Sequence, residues 1–191
     1  ASNVGITEHI QNTAVGFLME KEMKYLCDTM NDPRGPTVLI LGGAKISDKI
    51  ELIINMMNKV NVILIGGAMA FTFLKAQDKN IGSSLLDEEN LKIADDILKN
   101  AEQNKVKIIL PQDVVSAPTM SAQAPWRVSS LEGLGPDEAG FDIGPETTSN
   151  FVLMLLNANT VIWNGPLGVC EIPFFSTGTQ SIASVVRDRT E

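Results

Sequence analysis

Short runs of apolar residues alternate along this chain with stretches in which apolar positions recur every three or four residues. Met19, Met23, Leu26, Cys27 and Met30 keep helical spacing, and Asn31-Asp32-Pro33-Arg34-Gly35-Pro36 stops the run. Residues 37–41 then read as a buried strand and Gly42-Gly43-Ala44-Lys45 as its turn. Ser47 and Asp48 offer caps to a helix that would turn Ile50, Ile53, Ile54, Met57 and Val60 inward. Residues 62–65 form a second strand that runs into Gly66-Gly67-Ala68, and residues 69–76 a further helix. Asp87-Glu88-Glu89 places acid at the start of a helix carrying Leu91, Ala94, Ile97, Leu98 and Ala101, as the helix dipole favours. A third strand spans residues 106–110. Residues 116–137, rich in Pro, Gly and Ser, read as an irregular excursion with a small hairpin. Pro145-Glu146 opens a helix through residue 157, residues 161–163 are a fourth strand with Asn164-Gly165-Pro166 as its turn, and residues 180–187 a final helix. Strands buried on both faces and separated by helices predict an α/β fold, a doubly wound parallel sheet with helices on both faces.

Composition narrows the function. The 191 residues carry 15 Lys+Arg against 23 Asp+Glu, a net charge of −8, and are 44% hydrophobic. That length buries a sizeable core in one domain. The acidic balance argues against nucleic acid as the main partner, but two well-placed lysines suffice for a small phosphorylated ligand. Two distant cysteines, Cys27 and Cys170, and one histidine, His9, supply neither a zinc site nor a Ser-His-Asp triad, so no metal ligands are expected. The longest apolar runs fall far short of the ~20 residues that span a bilayer, so no membrane partner is expected. Ala1-Ser2-Asn3-Val4 shows no signal peptide and no initiator Met. A piece of a longer cytoplasmic chain is the expectation, with an organellar setting left open.

In open parallel sheets, ligands lie beyond the carboxyl ends of the strands. Three of the four strands here run into glycine: Gly42-Gly43, Gly66-Gly67 and Gly165. Lys45 and Lys49 follow the first pair four residues apart, near the positive end of the next helix, where an anion would relieve their conflict with the helix dipole. Such turns are also common simply because tight turns need glycine, and neither GxxxxGK[ST] nor GxGxxG is present. A phosphate ligand and a plain turn therefore both stay open on pattern alone. The segment from Phe17 to Glu22 reads as a solvated helix face, Trp163 as core, and Glu171 as either a sugar-hydroxyl ligand or an exposed side chain.

Taken together, the strings GFLMEKE (16–22), ILGGAKISDKI (40–50), IGGAMAFTF (65–73), IGSSL (81–85), DIGP (142–145) and WNGPLGV (163–169) closely resemble the phosphoglycerate kinase family in order and spacing. The resemblance implies phosphoryl transfer between 1,3-bisphosphoglycerate and ADP, giving 3-phosphoglycerate and ATP, with Mg²⁺ accompanying the nucleotide. It also implies two Rossmann-like lobes and a parent that is usually monomeric. Residues 1–22 would be the inter-lobe segment and the start of the first helix, and residues 23–191 the nucleotide-binding C-terminal lobe. By resemblance, Lys49 neutralises the transferring phosphoryl group and Lys45 contacts the nucleotide phosphates, both with catalytic roles. Gly43, Ala44, Gly66, Gly67, Ala68, Leu85, Phe141, Gly168 and Val169 wall the nucleotide, Asn164 and Pro166 lie along it, and Glu171 holds the ribose hydroxyls.

Departures from the family pattern are Ala68 in place of a frequent third glycine, Phe141 in place of an aliphatic residue, and Cys170 in place of a Phe. The family's glycerate-site residues, its GGGDT turn with the metal-engaging Asp, and its STGGGA segment do not occur in these 191 residues. The expectation is an incomplete sheet without the family's last two strands, with residues 161–163 left at an edge. Weak or undetectable ADP binding and no kinase activity by the chain alone are expected. A non-catalytic nucleotide-binding module on the same fold is the alternative.

Overall fold

The computed structural model describes residues 5–31 and 33–189. Ala1–Val4, Asp32, Thr190 and Glu191 lie outside the described residues, and with them the residues on which the leader, part of the breaker and the chain end were read. The chain divides into two units, Ala1–Pro33 and Arg34–Glu191. The first holds a 3-10 turn, Gly5–Glu8, and helix α1, Phe17–Asn31. The boundary expected after residue 22 falls inside α1, whose apolar spacing runs on unbroken to Met30.

The second unit contains β1 (Thr37–Leu41), α2 (Ile50–Met56), β2 (Val62–Ile65), α3 (Met69–Ala76), α4 (Leu91–Gln103) and β3 (Lys107–Ile109). It continues with β4 (Asp113–Ala117), β5 (Arg127–Ser130), β6 (Ala139–Ile143), α5 (Pro145–Leu156), β7 (Thr160–Asn164) and α6 (Thr177–Asp188). The main sheet has the order β3-β2-β1-β7 with every pairing parallel; Leu39 faces Ile63 on one side and Ile162 on the other. All five β1 residues are buried, as expected for a central strand covered on both faces. On one face Val38, Ile40 and Leu64 join Phe151 and Leu155 of α5 and Ile182 of α6 in one core cluster. The alternate residues Leu39, Leu41, Ile63 and Ile65 point to the other face and are fully buried. Strand β7 pairs with β1 alone among the described residues, so it is an edge, as expected.

Three local expectations need correction. The hairpin expected within residues 116–137 is present as β4–β5, but the stretch is not an irregular excursion: with β6 these strands form a separate antiparallel sheet of order β5-β4-β6. Its central strand, Asp-Val-Val-Ser-Ala, is buried at every position although two residues are polar, so no hydrophobic period announces it. Ser47 and Asp48 do not cap α2: Lys49 occupies the cap position with no side-chain cap bond, and Ile54 faces solvent while Ile53 and Met56 are buried. Helix α6 begins at Thr177, three residues before the apolar pattern, because a carboxylate from β6 caps it.

Candidate nucleotide site

The carboxyl ends of β1, β2 and β7 meet in a layer where backbone bonds to backbone. The Gly42 N–H donates to Asn164 O (3.1 Å), Gly66 N–H to Leu41 O (2.8 Å), Gly67 N–H to Leu167 O (2.9 Å) and Met69 N–H to Gly43 O (3.0 Å). This interlock is why the turns need glycine. A Cβ on Gly42 would sit 1.9 Å from Pro166 O, and one on Gly67, at φ +65°, 2.6 Å from Gly43 N. Gly43 differs: at φ +117° it has nothing within 4 Å of its missing Cβ, so its backbone is open to an incoming ligand. Gly66 is buried behind Leu167, whose Cδ2 would lie 2.7 Å from a Cβ there, so this predicted wall residue supports the layer from beneath.

At one end of this layer Lys49 Nζ donates to Asn164 Oδ1, joining the turn after β1 to the end of β7. Lys45 is exposed nearby in sequence, and among the described residues no carboxylate is paired with either lysine. Since α2 has only seven residues and Lys49 sits at its cap, the positive charge at this end comes from the lysines themselves rather than from a helix dipole.

Beyond the glycines lies a cavity of about 480 Å³. Ten of the fourteen predicted site residues line it: Gly43, Ala44, Gly67, Ala68, Leu85, Phe141, Pro166, Gly168, Val169 and Glu171. Lys45, Lys49, Gly66 and Asn164 do not line it. Two of the three family departures, Ala68 and Phe141, are on its wall, and Phe141 packs on Phe175 with ring centroids 4.9 Å apart. Leu85 (56% exposed) and Met120 (63% exposed) leave apolar surface open there, suited to the face of a flat ring. Glu171 is exposed at the rim and is the one carboxylate of the lining.

Met120, Gly140 and Ile172 also line the cavity, and the sequence reading missed all three. Gly140 is a glycine because a Cβ would lie 2.3 Å from the Phe71 ring, which no local signal reports. Met120 sits in a Pro/Ser-rich stretch without periodicity. A larger hollow of about 690 Å³ runs along β3 and the residues that follow it, between Leu74, Leu131 and Met154, but holds none of the predicted residues.

The antiparallel sheet caps two helices through two buried carboxylates. Asp113 on β4 accepts from the Glu146 N–H (3.0 Å), the Thr147 N–H (2.7 Å) and the Thr147 hydroxyl (2.6 Å), capping α5, whose own cap residue is Gly144. Asp142 on β6 accepts from the Gly178 N–H of α6 (2.7 Å) and from the Ile143 N–H (2.9 Å). Burial pushes the Asp142 carboxyl up to about 7, against the pull of those two N–H donors. On the β5–β6 side Arg127 grips Glu138 with two bonds of 2.7 and 2.6 Å and holds its carboxyl down at about 2.

No cluster of three His, Cys, Asp or Glu that would hold a metal occurs among the described residues. Lys45, Lys49 and Asn164 offer two ammonium groups and an amide, a donor set that does not fit a resident Mg²⁺, which prefers carboxylates and phosphate oxygens. No helix among the described residues is long and apolar enough to cross a membrane.

Comparison with known proteins agrees with this architecture. The sequence profile of the family described as phosphoglycerate kinase matches residues 1–191. The phosphoglycerate kinase of Chlorobium phaeobacteroides (strain BS1) is 45% identical over 190 residues, covering 100% of this chain and 48% of that protein. That of Finegoldia magna is 46% identical over 184 residues, covering 96% and 46%. The solved structure of the Coxiella burnetii enzyme superposes with a TM-score of 0.88 at 38% identity, over 92% of this chain and 45% of the other. The Pyrococcus horikoshii structure does so at 0.79 and 26% identity, again over 92% and 45%. The chain thus spans about half the length of the relatives it matches, and within that span it belongs to the phosphoglycerate kinase family.

Proposed function

We propose that this chain supplies the nucleotide-binding half of a phosphoglycerate kinase, holding ADP or ATP while a phosphoryl group passes between the nucleotide and 1,3-bisphosphoglycerate or 3-phosphoglycerate. The observation that supports this most is the convergence of ten predicted residues on one cavity beyond the strand ends, with Lys45 and Lys49 paired to no carboxylate among the described residues. The base lies between Leu85, Phe141 and Val169, and Glu171 accepts hydrogen bonds from the ribose hydroxyls. The open backbone of Gly43 lets the phosphates approach, and Asn164 holds the Lys49 ammonium where charge builds up on the transferring group. A loose phosphoryl transition state spreads negative charge over its oxygens, and fixed cations stabilise it more than they stabilise the ground state. Mg²⁺ comes bound to the nucleotide and neutralises its phosphate charge. The working setting is the cytoplasm, with a monomeric parent and neither nucleic acid nor membrane as partner.

The test is calorimetric titration of ADP, with and without Mg²⁺, backed by amide chemical shifts. Expected is weak saturable binding, with a Kd on the order of 1 mM, or about −4 kcal/mol. Gly43 and Val169 amides shift, and Lys49→Ala weakens binding. No shift at these amides at saturating ADP overturns the reading. The chain alone is expected to give no turnover with 1,3-bisphosphoglycerate and ADP, and turnover free of contaminating enzyme would refute its assignment to the nucleotide side only.

A further inference from the structure

The two buried carboxylates look alike but stand in different places. Asp113 and Asp142 both reach from the antiparallel sheet to cap a helix that lacks a side-chain cap of its own. In both cases a glycine makes room: a Cβ on Gly144 would lie 2.2 Å from Asp113 Cγ, and one on Gly168 would lie 2.3 Å from Asp142 Oδ1. Gly144 opens α5 and does not line the cavity. Gly168 lines it directly, beside Val169.

Asp142 is therefore packed under the cavity floor. Its neighbour Phe141 lines the cavity, and the Phe141 carbonyl accepts from the Val169 N–H at 2.9 Å. The Asp142 carboxylate meets Gly168 from below and fixes Gly178, so β6, the turn after β7 and the start of α6 are joined at one side chain. Among the described residues no ion pair reaches it. Its hydrogen bonds go to backbone alone, so shifting it would displace Gly168 and the first turn of α6 together.

We propose that Asp142 is a positioning residue for the nucleotide: it sets the height of the Gly168-Val169 wall against Phe141, and so determines affinity without touching the ligand. This rests on the nucleotide reading above and adds a residue to it. Asp113 is its internal control, because it performs the same helix-capping work away from the cavity.

The experiment compares the chain with Asp142→Asn and Asp113→Asn, measuring thermal unfolding and ADP affinity for each. Both variants are expected to lower Tm, and Asp142→Asn alone is expected to weaken ADP by at least about fivefold. Equal ADP affinities in the two variants, whether unchanged or equally reduced, would overturn the proposal, because a merely structural cap gives that result. If Asp142→Asn does not fold, amide exchange of the unaltered chain decides. ADP should slow exchange at Gly178 as well as Val169 while leaving Glu146 and Thr147 unchanged, and an unaltered Gly178 rate overturns the proposal. Absence of any ADP binding by the unaltered chain is a separate outcome, and it removes the nucleotide reading and this inference together.

Discussion

Replacing Gly42 by alanine tests the interlock of the strand-end turns. The new methyl carbon would start 1.9 Å from Pro166 O and 2.5 Å from Pro166 C, where ordinary contact begins at 3.4 Å. One of the two segments must give by more than 1 Å. Strand β1 is central and paired on both sides, whereas among the described residues β7 pairs with β1 only, so the turn from Asn164 to Leu167 is the one that moves. That movement lengthens the Gly42–Asn164 and Gly67–Leu167 bonds, each worth about 1 kcal/mol net, and adds overpacking strain of about 1–3 kcal/mol. The sum is about 3–5 kcal/mol, or a Tm fall of roughly 6–20 °C for a domain of this size. Asn164 is carried away from Lys49, so ADP affinity should fall as well. Gly43→Ala is the comparison, since its methyl enters open space and carries only the strain of φ +117°, about 1–3 kcal/mol. Urea unfolding followed by circular dichroism measures both. A Gly42→Ala midpoint within error of the parent, or a loss smaller than that of Gly43→Ala, would refute the reasoning.

Phe151→Ala empties a site with no solvent exposure between α5 and the sheet and should cost about 3–5 kcal/mol, whereas Leu153→Ala on the same helix, 55% exposed, should stay within about 0.5 kcal/mol; chemical unfolding compares them. The Asp142 carboxyl is raised from 3.8 to about 7, so its contribution is complete below about pH 4 and is lost as pH rises through 7. The stability of Asp142→Asn relative to the parent should therefore improve between pH 4 and pH 8 by on the order of 3 kcal/mol, and a pH-independent difference in urea midpoints would contradict this. Glu138 has the opposite sign: held at about 2 by Arg127, it stabilises the fold above pH 4.5 and loses that effect as pH falls toward 2, so Arg127→Ala should flatten the acid limb of the stability curve.

The parallel sheet could be read from the sequence because its strands are short apolar runs closed by Gly or Pro, and hydrophobicity alone specifies them. The antiparallel sheet could not, because β4 buries Asp113 and Ser116, whose partners Thr147 and Ser129 lie elsewhere in the sequence. At the site, Lys45, Lys49 and the paired glycines stood out by spacing. The assignment of base-side and ribose-side residues came from family resemblance, and the structure gathers most of those residues into one cavity. Met120, Gly140 and Ile172 depend on how distant segments fold back, which no local spacing encodes. Gly66 and Gly42 show the converse: glycines that suggest ligand approach in the sequence serve, in the folded chain, to let one turn sit against another.

The edge position of β7 also sets an order of events in folding. Lys49 meets Asn164 across 115 residues, and Thr160 reaches the Arg34 carbonyl across 126. Closing a loop of that length costs about 4 kcal/mol in chain entropy by the logarithmic rule, and nothing rewards the closure until β7 docks on β1. Strands β1 to β3 are contiguous in sequence and can assemble early. During synthesis the lysines and the first two glycine turns would leave the ribosome long before Asn164, Gly168 and Glu171, so the cavity beyond the strand ends is among the last features of the fold to exist. Until then the Gly42 N–H lacks the Asn164 carbonyl it donates to, and a ligand of this cavity can favour the folded chain only after the edge strand has arrived.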